Sequence, residues 1–180
     1  AGRCGTSAFM DFLLKLHGYD KVVCSTDLNS FWINGSGYWN DAINAGMEYV
    51  IDENSSDEEL AQAPYIIKDI RLCCSLKYIL RKELITVDHL FLLIRDYRKS
   101  AKSRLENDIL MLEWRNVRCV DERKSPLRNQ IEWNQRVVGV LMETIATFDI
   151  PHTVIHFPTF VENREYLFSK LSNTPLSCER

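Results

Sequence analysis

The sequence predicts a three-layer α/β domain in which helices cover both faces of a parallel sheet. Short apolar runs alternate with longer stretches of helical periodicity, and a glycine-containing loop opens directly into the first helix. The short runs are continuously apolar, which is typical of strands that are buried on both faces. Ligand sites of such sheets lie at the carboxyl ends of the strands.

The first helix is predicted over residues 7–17 because its apolar side chains share one face and Gly18 follows as a stop. That face consists of Ala8, Phe9, Phe12, Leu13 and Leu16. Strands are predicted at residues 65–67, 89–94 and 153–155. Further helices are predicted at residues 72–84, 98–106, 131–148 and 163–171.

Length and charge indicate one domain that spans residues 1–180 and is not a general nucleic-acid binder. A chain of 180 residues can bury a substantial core, and its formal charge of -3 gives no indication of general nucleic-acid binding. No apolar run reaches the length of a membrane span, and no signal segment is evident. Since a glycine loop of this kind normally follows a central strand, we expect that strand to precede Ala1.

Cysteine usage favours a cytoplasmic protein without a metal site. Of the six cysteines, Cys73 and Cys74 are adjacent, and none forms a CxxC pair. An even count is compatible with disulfides, but the low density and the absence of a signal favour reduced, mostly buried thiols.

A candidate phosphate-binding loop occupies the first seven residues, Ala-Gly-Arg-Cys-Gly-Thr-Ser. Its glycines and Arg3 stand at the start of a helix, where backbone N–H groups and the helix dipole favour an anion. The alternative is a capping turn, with Thr6 or Ser7 as the cap and Arg3 solvated. A P-loop kinase would carry a lysine directly after Gly5, where this chain has Thr6.

A second candidate anion site follows the predicted strand at residues 89–94. Arg95 stands at the strand end, and Ser103 comes eight residues later on the next helix. An arginine fork and a serine hydroxyl can converge on one phosphate. The alternative is a solvated basic helix surface. That surface would consist of Arg98, Lys99, Lys102 and Arg104.

Two further segments have the composition of loops that line a catalytic site. Residues 64–71 read Pro-Tyr-Ile-Ile-Lys-Asp-Ile-Arg, so Lys68 would end a strand, either beside a leaving group or simply solvated. Residues 34–41 read Asn-Gly-Ser-Gly-Tyr-Trp-Asn-Asp, in which Tyr38 and Trp39 form an acceptor wall or part of the core.

Taken in order from Gly2 to Ser103, these segments resemble the PAPS-dependent sulfotransferases, particularly the small bacterial and phage-type members. The family's phosphosulfate loop reads (Lys/Arg)-Ser-Gly-Thr-(Thr/Ser), and here Cys4 replaces the serine. The segment of this chain that corresponds to the family's IKDPR has Ile70 where the family has proline. The segment that corresponds to the family's GY(F/W)ED loop has Asn40 where the family has its first acidic residue. The last third of the chain matches in outline only.

The resemblance implies a P-loop NTPase-like fold, the sulfotransferase fold, and transfer of a sulfuryl group from 3′-phosphoadenosine 5′-phosphosulfate (PAPS) to a hydroxyl or amine. A small molecule or a glycan would be the acceptor, and no metal is needed. Arg95 and Ser103 would bind the 3′-phosphate, while Arg3 and Lys68 would assist catalysis. The loop that holds the 5′-phosphosulfate would consist of Arg3, Cys4, Gly5, Thr6 and Ser7.

The general base is predicted to be Asp27. Animal cytosolic members use a histidine two residues after the lysine, where this chain has Ile70, whereas other branches use an acid after the first helix. Asp27 precedes two aromatic residues there, and Asp41 and Asp69 are the alternatives. A nucleoside or nucleotide kinase and a non-catalytic nucleotide-binding relative are the rival functions.

Overall fold

The protein is a mixed α/β structure. The computed structural model describes residues 5–6, 8–9, 12–13, 55–61, 67–68, 72–83, 85–106, 113–114, 117–118 and 120–176. The helices are α1 (Asp57–Ala61), α2 (Leu72–Leu80), α3 (Tyr97–Leu105), α4 (Pro126–Phe148), α5 (Thr159–Glu162) and α6 (Arg164–Leu171). The strands are β1 (Leu90–Ile94), β2 (Glu113–Trp114), β3 (Val117–Arg118) and β4 (His152–His156).

The chain divides into two compact units. The first unit combines Ala1–Gly5 with Thr86–Arg180, and the second is Thr6–Ile85. The single domain expected over residues 1–180 remains a prediction. No helix within the described ranges is long and apolar enough to cross a membrane.

The first unit contains a parallel pair of strands, β1 and β4, with β2 and β3 as a short antiparallel pair. The register of β1 and β4 runs from Leu90 opposite His152 to Ile94 opposite His156. Leu92 and Ile155 are both buried, and they lie on opposite faces because successive side chains of a strand alternate. This arrangement confirms the predicted parallel pairing of the strands at residues 89–94 and 153–155.

The 23-residue helix α4 begins earlier than predicted. Ser125 caps it by accepting a hydrogen bond from the Arg128 N–H at 3.4 Å, and Pro126 occupies the first turn. Asp149 ends the helix in the left-handed conformation. The predicted start at residue 131 was therefore wrong, although a serine followed by proline is a recognised helix-start signal.

Buried polar side chains line the contact between α3 and α4. The Arg104 guanidinium carbon lies 5.6 Å from the centre of the Trp133 ring, and Arg104 is only 1% exposed. The Gln130 side-chain amide donates to Asn134 Oδ1 at 3.2 Å, and the Asn134 amide donates to the carbonyl of Tyr97 at 3.5 Å. The Asn134 and Arg104 contacts join α4 to α3, whereas the Gln130–Asn134 hydrogen bond lies within α4 and orients the Asn134 side chain.

The second unit has its own apolar cluster. Leu60 and Ile79 are buried at its centre, and the half-buried side chains of Ile67, Leu72 and Ile85 pack against them. Ile67 lies in no strand, so the prediction of a strand at residues 65–67 fails at this residue. The reason is that Ile67 is half-buried by side-chain packing against Leu60 and Ile79, which does not require strand pairing.

The helices of the second unit only partly match the prediction. The backbone is helical at each described residue of the first helix, and Phe9 and Leu13 are buried, but Ala8 is exposed. Helix α2 ends at Leu80, short of the predicted residue 84, and Glu83 adopts a positive φ of 57° that cannot continue a right-handed helix.

The described cysteines agree with the expectation of buried thiols. Cys73 and Cys74 are both buried in α2, and their sulfur atoms lie 3.8 Å apart. The cysteines at the other positions lie outside the described residues.

The burial of α4 predicts a contrast between two valines. Val137 in α4 is fully buried, whereas Val161 in α5 is 58% exposed. Val137→Ala should lower the free energy of unfolding by about 2 kcal/mol, because it removes two buried carbon groups and leaves a small cavity. Val161→Ala, measured in the same urea titrations, should change it by less than about 0.5 kcal/mol. Equal effects would contradict the placement of α4.

Candidate functional site

The candidate site lies at the carboxyl ends of β1 and β4. The Phe157 N–H donates to the carbonyl of Ile94 at 2.8 Å, which is the last hydrogen bond of the ladder that pairs Ile94 with His156. Arg95 and Phe157 therefore stand side by side where the two strands end. Parallel sheets usually bind ligands at this edge.

Arg95 lies at the junction of a strand and a helix. Asp96 follows it and caps α3, with Asp96 Oδ1 accepting from the Lys99 N–H at 2.8 Å. The half-buried Arg95 places its guanidinium carbon 5.2 Å from the centre of the Phe157 ring. A cation at this distance over an aromatic face is attracted by the ring quadrupole.

Ser103 lies near the end of α3, about 9 Å along the helix from Tyr97. It is half-buried, and its neighbours Ser100 and Arg104 belong to the buried face of α3. The structure therefore places Arg95 before the helix and Ser103 close to its far end.

The basic residues of α3 do not share one environment. Arg98, Lys99 and Lys102 are exposed, as the alternative of a solvated surface predicts. Lys102 lies 3.8 Å from Glu106 in an exposed ion pair. Arg104 contradicts that alternative, because α4 buries it against Trp133.

Gly5 is the described residue of the glycine loop that belongs to the first unit. Its φ of +76° is a conformation that other residues rarely adopt. A Cβ atom at this position would collide with the Phe157 edge atom Cδ2 and would lie 2.9 Å from Cε2. It would also lie 3.1 Å from Cε1 of Phe160. Both the backbone and the packing therefore require glycine here.

Phe157 is a site residue that sequence reasoning missed. Its ring has Gly5 at one edge and the Arg95 guanidinium over its face. The sequence assigned no chemistry to the segment after residue 155. The available signal was an aromatic residue directly after a strand, at the edge of the sheet where ligands bind.

Thr6 and Lys68 belong to the second unit. Thr6 is half-buried and helical, which agrees with a helix that starts directly after Gly5. Lys68 is half-buried in an irregular segment and follows Ile67, which packs on the cluster of Leu60 and Ile79.

The remaining predicted site residues lie outside the residues that the structure describes. They are Arg3, Cys4 and Ser7 of the loop, Asp27 with its alternatives Asp41 and Asp69, and the possible acceptor wall Tyr38 and Trp39. Their roles stay predictions from the sequence.

The described histidines occupy the positions expected of packed or surface residues. His89 is half-buried, shares a 2.8 Å hydrogen bond between its Nε2 and Thr153 Oγ1, and lies at the amino ends of the strands, away from the candidate site. Burial lowers the pKa of His89, and the nearby His152 lowers it further. His152 and His156 are both exposed.

Among the described residues, no group of three or more His, Cys, Asp and Glu side chains is arranged to hold a metal ion. Comparisons with protein-family models, curated proteins and solved structures found no match.

The packing of Gly5 predicts opposite effects for two glycine substitutions. Gly5→Ala should lower the free energy of unfolding by on the order of 1–3 kcal/mol, because alanine disfavours the positive φ and its Cβ would meet Phe157. Gly139→Ala should raise it by roughly 0.5–1 kcal/mol, because Gly139 lies in a helix with open space around it. Urea titration measures both. A neutral Gly5→Ala would show that Gly5 does not contact Phe157.

Proposed function

We propose that the protein is a PAPS-dependent sulfotransferase with a P-loop-like, three-layer α/β fold. The observation that carries the proposal is that Gly5 and Arg95, which belong to separate predicted phosphate sites, both contact Phe157 at the carboxyl end of β4. One residue of each predicted site therefore lies beside Phe157, which supports a ligand that bridges the two sites. A nucleotide with phosphates on both its 3′ and 5′ positions needs two adjacent anion sites of this kind.

The residues present suit such a ligand. The positive φ of Gly5 permits a tight turn directly before the first helix, whose N-terminal N–H groups favour an anion. The Arg95 guanidinium supplies a planar fork that matches phosphate oxygens. Ser103 offers a hydroxyl on the helix that begins directly after Arg95. The resemblance assigns the 5′-phosphosulfate to residues 3–7, and Arg95 and Ser103 to the 3′-phosphate.

The reaction divides into three tasks for the chain. During transfer, the bond between sulfur and the 5′-phosphate oxygen breaks as a bond between sulfur and the acceptor oxygen or nitrogen forms. Arg3 and Lys68 are assigned to neutralise the charge that develops on the leaving phosphate. Asp27 is assigned to receive the acceptor's proton. The acceptor is a hydroxyl or an amine on a small molecule or a glycan.

Substitution of Arg95 tests the assignment of the 3′-phosphate. The wild-type protein should bind adenosine 3′,5′-bisphosphate more tightly than adenosine 5′-monophosphate without added metal. Arg95→Ala should weaken binding of the bisphosphate by on the order of 1.5–3 kcal/mol, or roughly 10- to 150-fold. Binding of the monophosphate should weaken much less, since only the bisphosphate carries the phosphate that Arg95 would bind. Isothermal titration calorimetry measures all four affinities.

Arg98→Ala is the matched control, because Arg98 is an exposed arginine on the adjoining helix α3. It removes the same charge and should leave the difference between the two ligands unchanged. Equal losses of both ligands in Arg95→Ala would refute the 3′-phosphate role. Stabilisation by ATP with Mg²⁺ but not by the bisphosphate would favour a kinase, and binding of the bisphosphate without turnover would indicate a non-catalytic relative.

Substitution of Asp27 tests the assignment of the base. The aromatic residues Phe31 and Trp32 that follow Asp27 in the sequence would help desolvate its carboxylate and favour proton uptake near neutral pH. Asp27→Asn should retain donor affinity and lower the turnover rate by roughly 10²- to 10⁴-fold. Steady-state kinetics with PAPS and a panel of hydroxyl and amine acceptors measures the effect. Normal turnover in Asp27→Asn, with loss in Asp41→Asn or Asp69→Asn, would move the base to one of those residues.

A further inference from the structure

We infer that Phe157 is a positioning residue that holds the two phosphate sites at a fixed separation and orients Arg95 towards a 3′-phosphate. The inference rests on the proposed function and adds a residue to which the sequence assigned no role. Phe157 contacts both sites in different ways. An edge of its ring faces Gly5, and the Arg95 guanidinium lies over its face.

The backbone of Phe157 is tied to the strand that ends beside Arg95. Its N–H donates to the carbonyl of Ile94, the residue directly before Arg95. A change in the position of β4 relative to β1 would therefore move Phe157 and Arg95 relative to each other. Both residues directly follow strands that are hydrogen-bonded to each other.

A second aromatic residue supports the ring from α5. Phe160 is only 5% exposed, and its ring centre lies 6.0 Å from that of Phe157 at an interplanar angle of 58°. This tilted arrangement is favourable for two aromatic rings. Phe160 also lies against Gly5, so the glycine meets two aromatic side chains from one short segment.

The aromatic face and the bulk of Phe157 have separable effects. The face attracts the Arg95 cation and restricts its rotamers before a ligand arrives, so less conformational freedom is lost on binding. The bulk fills the space beside Gly5 and supports the turn of the loop. Loss of the face alone should weaken the 3′-phosphate contact, whereas loss of the bulk should weaken both phosphate contacts.

A set of substitutions at residue 157 distinguishes these effects. Phe157→Leu and Phe157→Met remove the aromatic face and keep most of the bulk. Both should lower the affinity for adenosine 3′,5′-bisphosphate by about 3- to 10-fold relative to the affinity for adenosine 5′-monophosphate. Phe157→Tyr keeps the face and should retain the wild-type ratio of affinities. Phe157→Ala should weaken both ligands.

The chain offers a matched control in α6, where the Arg164 guanidinium carbon lies 5.1 Å from the centre of the Phe168 ring. Phe168→Leu breaks the same kind of contact outside the candidate site and should leave both affinities unchanged. Thermal melting of each variant establishes that the protein is folded before titration. If the leucine variant fails to fold, the methionine variant supplies the same comparison.

A double-mutant cycle shows whether Phe157 acts through Arg95. In the Arg95→Ala background, Phe157→Leu should cause no further selective loss of the bisphosphate. Additive losses, or equal weakening of both ligands by Phe157→Leu and Phe157→Met, would mean that Phe157 is merely structural and would overturn the inference. A wild-type protein without preference for the bisphosphate would overturn the proposed function and this inference together. A preference that both variants retain would overturn the inference alone.

Discussion

The parallel pairing of β1 and β4 is the constraint on which the candidate site depends. Hydrogen bonds complete its register at both ends, where the Leu90 N–H donates to the carbonyl of Pro151 and the Phe157 N–H donates to that of Ile94. A shift of one residue would exchange the faces of every side chain, which the burial of Leu92 on one face and Ile155 on the other opposes. The same register brings Arg95 beside Phe157.

An uncharged ring beside Arg95, at the proposed anion site, has a physical advantage over a second charged side chain. In the proposed site the ring gives the arginine a preferred position and, being uncharged, adds no anion that would compete with a phosphate. A carboxylate in the same place would orient Arg95 equally well, but it would compete with the ligand for the cation. Phe157 therefore combines orientation of Arg95 with close packing against Gly5.

The helix that follows Arg95 is held by polar contacts as well as apolar ones. The buried contact between α3 and α4 contains the Arg104 side chain, which lies on the Trp133 ring. It also contains the buried amides of Gln130 and Asn134. Removing one partner from such a group is costly, because another polar atom is then left buried without a match. Ser103 directly precedes Arg104 and is half-buried, whereas Arg98, Lys99 and Lys102 of the same helix are exposed.

Local sequence signals by themselves determined the two paired strands, the approximate positions of α2, α3, α4 and α6, and the location of Arg95 at a strand end. They did not indicate the short helices α1 and α5 or the pair of β2 and β3. Apolar runs and helical periodicity predict the positions of the paired strands and the longer helices to within a few residues, because both patterns reflect burial along a single element. The glycine at residue 5 was likewise readable as a loop residue. The start of α4 was missed although Ser125 and Pro126 signalled it, because the apolar period becomes clear only further along the helix.

Tertiary structure alone decided the contact of Gly5 with Phe157, the burial of Arg104 and the packing of Ile67 outside a strand. Each depends on residues that are distant in the sequence, and neither propensity nor periodicity specifies which distant surface will cover a side chain. A basic helix stretch looks solvated until a tryptophan on another helix covers one of its arginines. In the same way, an aromatic residue after a strand acquires a role only when the fold brings Gly5 and Arg95 to its ring.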